Sequence, residues 1–95
     1  MKKVEKWIKH IEDEIHGALS YAEKYVFFKN SKPQWASMYS EMAMQELNHA
    51  ENLRMIGQAM MDELAWVPEE DTQAWENSIY KAAEKVALVK MMLSK

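Results

Sequence analysis

The sequence contains no cysteine, and only two glycines and two prolines occur among its 95 residues. Without cysteine the chain can form no disulfide, no thiolate metal site, no iron–sulfur cluster and no cysteine nucleophile. Glycine and proline are the residues that most often interrupt helices, so their scarcity favours a helical domain. Any metal or redox chemistry in this chain therefore depends on Glu, Asp, His and Tyr.

The chain also lacks a basic face and a long apolar run. Its formal net charge is −3 and its lysines are dispersed among acidic residues, which argues against nucleic-acid binding. No segment approaches the roughly 18 apolar residues of a membrane span, and no apolar signal-peptide region follows the charged start. We therefore expect a cytoplasmic protein with no nucleic-acid partner and no membrane partner.

Length and composition predict one small domain over residues 1–95. Apolar residues make up 48% of the chain, which is enough for an ordered core. A domain of this size buries only about 60 to 65% of its unfolded surface, so its own core is marginal. Self-association is expected for this reason.

Apolar residues recur at helical spacing and predict an all-α fold with helices over about 2–29, 33–64 and 69–93. Pro33 fits the first turn of the second helix, and the short turn before it predicts an antiparallel hairpin. The predicted apolar stripe of the second helix comprises Trp35, Tyr39, Met42, Leu53, Ile56, Met60 and Leu64. The third helix is apolar on two sides, which predicts two neighbours for it. One side comprises Trp75, Ile79, Ala82, Val86, Val89 and Leu93, and the other Tyr80, Ala87, Leu88 and Met91.

Three ionisable residues lie on stripes predicted to face inward: Glu14 in the first helix, and Glu46 and His49 in the second. Buried charges need partners or a cation. With the hairpin turn centred near residue 31, residue 14 should lie level with about residue 48. Glu46 and His49 are then only about 2 to 3 Å from that level at 1.5 Å per residue. The hairpin therefore supplies one Glu and one Glu-x-x-His pair at the same height.

This set is half of the ligands of ferritin-like di-iron bundles, which take a Glu from each of two helices and a Glu-x-x-His from each of the others. The stretch from Ile11 to Ala50 resembles the metal-binding hairpin of rubrerythrins and other ferritin-like proteins. A half-bundle that dimerises to complete the site is similar to encapsulated ferritins. The resemblance implies a homodimer or higher homo-oligomer whose four-helix bundle binds two iron ions, or manganese, through Glu14, Glu46 and His49. It implies ferroxidase-like or oxygen- or peroxide-reducing activity.

The same residues also fit other interpretations. The three residues could form a satisfied polar cluster without an ion, and the protein could be a non-enzymatic, prophage-encoded helical assembly protein. The two-sided third helix supports that alternative. Near the predicted site, His10 could support or join the ligands or lie at the edge of the seam. Tyr21 and Tyr39 could hydrogen-bond the ligating carboxylates or serve as core aromatics.

Overall fold

The computed structural model describes residues 2–64 and 66–95, and its three helices confirm the all-α prediction. They are α1 (Lys2–Phe28), α2 (Pro33–Glu63) and α3 (Glu69–Leu93). Each helix bound lies within one residue of its predicted position, and the described residues include no strand. None of the helices over the described residues combines the length and apolarity needed to cross a bilayer.

A short turn reverses the chain between α1 and α2. The Lys32 backbone N–H donates to the Phe28 carbonyl over 2.7 Å, and Lys32 is the N-cap of α2. Pro33 follows at the first helical position, where its missing N–H has no partner to lose. The described chain measures 54 × 18 × 17 Å, so the antiparallel helices form a rod.

The third helix runs back along the hairpin and packs mainly on α1. Two buried clusters hold it there: one centred on Ile11, Ile15 and Trp75, and one on Ala18 and Val89. At the turn end of the rod, the Lys29 ammonium donates to the Lys95 carbonyl over 3.2 Å. The chain therefore runs up, down and up again, with α1 as the central helix.

The buried side of α2 differs from the predicted stripe. Its buried residues are small ones spaced along one side: Ala36, Ala43, Leu47, Ala50 and Gly57. Trp35, Ile56, Met60 and Leu64, which the prediction placed in the core, are exposed. That part of the prediction was wrong, because α1 packs closely against the small side of α2 and leaves the bulkier side uncovered.

Gly57 lies where two tryptophans meet on α2. A Cβ at this position would overlap the indoles of both Trp7 and Trp75. Each indole is also anchored to α2, since Trp7 donates to the Leu53 carbonyl and Trp75 donates to the Gln58 side-chain oxygen, both over 2.7 Å. Side chains of both α1 and α3 therefore approach the α2 backbone closely at this glycine.

Candidate metal centre

Glu14, Glu46 and His49 converge at the middle of the hairpin. Each offers one ligand atom, and these atoms all lie within 4.8 Å of one another. Three donors bound to one ion at about 2.1 Å lie roughly 3.0 to 3.6 Å apart, so side-chain adjustments of about 1 to 2 Å would close the group on a cation. The prediction that Glu14 lies at the same height along the hairpin as Glu46 and His49 is therefore confirmed.

The Glu14 carboxylate lies between two imidazoles. Its Oε2 is 3.7 Å from His49 Nδ1, and its Oε1 is 3.9 Å from His10 Nε2. Both separations exceed a hydrogen bond. His10 therefore borders the group from the preceding turn of α1, in contact range of Glu14, and its supporting role stays a prediction.

The two carboxyl groups crowd each other. A hydrogen bond between the Glu14 and Glu46 side chains raises the pKa of Glu46 above its usual 4.5, and burial and the negative charge of Glu14 act in the same direction. The positive charge of His49 acts the other way. A proton shared by two carboxyls occupies a place that a cation would fill, and two oxygen donors with one nitrogen suit iron or manganese. The residues present therefore fit the predicted kind of metal.

Gly17 provides the space for the Glu46 carboxylate. A Cβ at Gly17 would lie 3.2 Å from Glu46 Oε2, closer than ordinary side-chain packing allows. The apolar pattern of the sequence predicts no role for this residue. A usable signal was present, because a glycine inside a helix costs about 1 kcal/mol relative to alanine and this one lies within a turn of Glu14.

Tyr21 and Tyr39 stack on each other across the hairpin, with ring centroids 6.1 Å apart. The Lys24 ammonium lies 5.7 Å from both ring centroids. Each ring is seven residues, or about 10 Å along the axis, from the nearest ligand on its own helix. Within the described chain neither hydroxyl hydrogen-bonds Glu14 or Glu46, so the predicted role of these tyrosines stays a prediction.

The converging group lies on the side of the hairpin that α3 leaves uncovered. His16 is about 160° around α1 from Glu14 at 3.6 residues per turn, and it meets Lys85 of α3 at 3.4 Å. The side chain of Glu14 is 22% exposed and that of His49 is 58% exposed. Within one chain the three residues thus line an open face, whereas the sequence predicted an inward one.

The comparisons with known proteins identify no relative. The chain matches no protein-family model, no curated protein and no solved structure. The geometry of the three converging residues, and the face that carries them, are therefore the features that point to a function.

Replacing Glu46 by Gln is expected to stabilise the metal-free protein near neutral pH. Because the folded pKa of Glu46 is raised, the wild type loses stability as pH rises from the usual carboxyl value through that raised pKa. Removing a like-charge repulsion of about 0.5 kcal/mol should raise Tm by about 2 to 4 °C. Thermal unfolding in EDTA checks this: the difference should vanish below about pH 4, where both proteins are neutral at this position. An equal or lower Tm for Glu46→Gln at neutral pH would contradict the crowding of the two carboxyls.

Proposed function

We propose that this protein is a ferritin-like half-bundle whose dimer binds two iron or manganese ions and oxidises Fe(II). One observation carries the proposal: Glu14, Glu46 and His49 bring their ligand atoms within 4.8 Å of one another on a face that α3 does not cover. A second copy on that face would supply the other half of a set of four carboxylates and two imidazoles.

The surroundings of the group support a helical partner on this face. Trp35, Ile56 and Met60 lie on the same side of α2 as Glu46 and His49, and all three are exposed large apolar residues. An apolar surface that surrounds polar ligands is typical of a site completed between chains. Pairing of two such faces would cover these residues and exclude bulk water from the ligands.

The residues that would hold the ions are named by the geometry. Glu14 and Glu46 would bind through carboxylate oxygens and His49 through an imidazole nitrogen, with the Glu46 carboxylate placed beside Gly17. Bound ferrous ions would each supply one electron to dioxygen or peroxide. The chain itself contributes position, neutralisation of charge by carboxylates, and shelter from water.

Metal analysis of protein purified without chelators tests the proposal. We expect roughly one ion per chain, as half of a two-ion bundle requires. Glu46→Ala and His49→Ala should lose the ion together with the oxidation of added Fe(II). His16→Ala is the matched control, because His16 lies on the opposite side of α1 and should leave both properties unchanged.

The alternative function gives a different result. A non-enzymatic assembly protein would be isolated metal-free, folded and assembled, and would bind no Fe(II) when it is added. That outcome would overturn the metal proposal and favour the structural one.

A further inference from the structure

A groove runs along the molecule between α2 and α3, on the side away from the candidate metal centre. Both helices pack on α1 and make few contacts with each other. This arrangement leaves a groove of about 460 Å³ between them. Its floor is formed by buried residues of the core, namely Ile11, Ile15, Leu47 and Ala50. Glu51 on its α2 wall is about 160° around that helix from His49, so the groove and the metal face are separate.

An apolar stripe on α3 borders this groove and continues onto the outer surface. Tyr80, Ala83, Ala87 and Met91 are spaced by three, four and four residues, the spacing of a helix–helix seam. Ala83 and Ala87 line the groove, while Tyr80 is 74% and Met91 is 51% exposed. Met44, on the opposite wall, is also an exposed large apolar residue. The second apolar side predicted for α3 therefore has no cover within the described chain.

We infer that α3 of a second copy packs into this groove and forms a self-association face distinct from the metal face. The α3 stripe forms one wall of the groove and also projects from the surface as a ridge. Two copies of the chain can therefore pack so that the ridge of each lies in the groove of the other. A two-fold contact of this kind is self-complementary. Ala83 and Ala87 lie near its centre, where small side chains let two helices approach closely.

Levels and charges along α3 agree with an antiparallel pairing of the two copies. If Ala83 faces the partner subunit's Ala87, Tyr80 lies level with the partner subunit's Lys90. Glu84, exposed beside the stripe, is then about 6 Å along the axis from the level of that lysine, within reach of two long side chains. On the far wall Arg54 is already paired with Glu51 by hydrogen bonds of 2.6 and 2.9 Å, so that pair adds no net charge. The acidic Glu84 on the ridge thus meets the uncompensated charge of Lys90 at the groove.

The groove contact does not depend on metal binding at the other face, and the two faces together predict a larger assembly. A chain that self-associates through both faces joins dimers to dimers, so the full assembly contains more than two chains. A chain that uses the groove alone forms dimers that persist without metal.

Ala87→Glu tests the groove, because it places a carboxylate in the centre of the seam at a position already exposed in the single chain. Native mass spectrometry and light scattering should show that the Ala87→Glu variant forms a smaller assembly than the wild type, because the groove contacts are lost. The metal content per chain should stay unchanged. Tyr80→Lys should act in the same direction. Ala74→Glu, on the same helix but off the stripe, is the matched control and should leave the mass unchanged.

Each outcome decides the matter. An assembly mass that Ala87→Glu and Tyr80→Lys both leave at the wild-type value would overturn the inference, as would a monomeric wild type. A wild-type dimer that survives EDTA and dissociates in Ala87→Glu would support the groove while contradicting association through the metal face. Helical circular dichroism of each variant shows that the fold is retained.

Discussion

Adding Fe(II) or Mn(II) to the metal-free protein is expected to lower the dissociation constant of the metal-face dimer at least about 100-fold. One chain supplies only half of the proposed ligands, so an ion gains its full set of donors only when two chains meet. Binding that favours the paired state over the single chain shifts the equilibrium toward pairing. The same coupling requires metal affinity to increase with protein concentration.

Analytical ultracentrifugation of the Ala87→Glu variant, with EDTA or with excess metal, measures this effect with the groove contact removed. Introducing His49→Ala into the same background removes one nitrogen ligand from each chain and should abolish the response to metal. A dissociation constant that is equal in EDTA and in metal would show that the ions, if bound, are held by single chains.

Gly57→Ala is expected to destabilise the protein by about 2 kcal/mol, although alanine is the better helix former by about 1 kcal/mol. The added methyl would overlap both Trp7 and Trp75, so both indoles must shift and weaken their hydrogen bonds to α2. For a domain of this size the expected decrease in Tm is about 8 to 16 °C. Thermal unfolding followed by far-ultraviolet circular dichroism measures it.

Gly17→Ala is the matched comparison, since Gly17 is the other helical glycine of the chain. Its added methyl would meet only the flexible end of Glu46, at 3.2 Å from Oε2. We expect the fold to keep or gain stability, while metal binding weakens because the carboxylate is displaced. Equal losses of stability in the two variants would contradict the distinct roles assigned to these glycines.

Much of the architecture could be predicted from the sequence because it depends on local patterns. Apolar spacing located the three helices, and Pro33 with the short turn located the reversal. Once the hairpin was set, equal distances from the turn placed Glu14 opposite Glu46 and His49. These steps need only the rise per residue and the position of the turn.

The remaining features depend on which surfaces meet, which local spacing does not specify. α2 carries a stripe of large apolar side chains on one side and a stripe of small side chains on the neighbouring side. The side with small side chains packs against α1 because Ala36, Ala43 and Ala50 permit close approach. The side of α1 taken by α3 likewise decided that His49 would be exposed. Gly17 was missed because its importance arises from the position of a side chain on another helix.

The tryptophans gathered at Gly57 give the molecule an internal optical reporter. Trp7 and Trp75 emit from the junction of all three helices, whereas Trp35 and Trp66 are exposed to solvent. A soluble quencher would therefore reach Trp35 and Trp66 more readily than the half-buried Trp7 in the intact fold, and the buried Trp75 only after α3 leaves the hairpin. Detachment of that helix would change the emission even while helical content remained high.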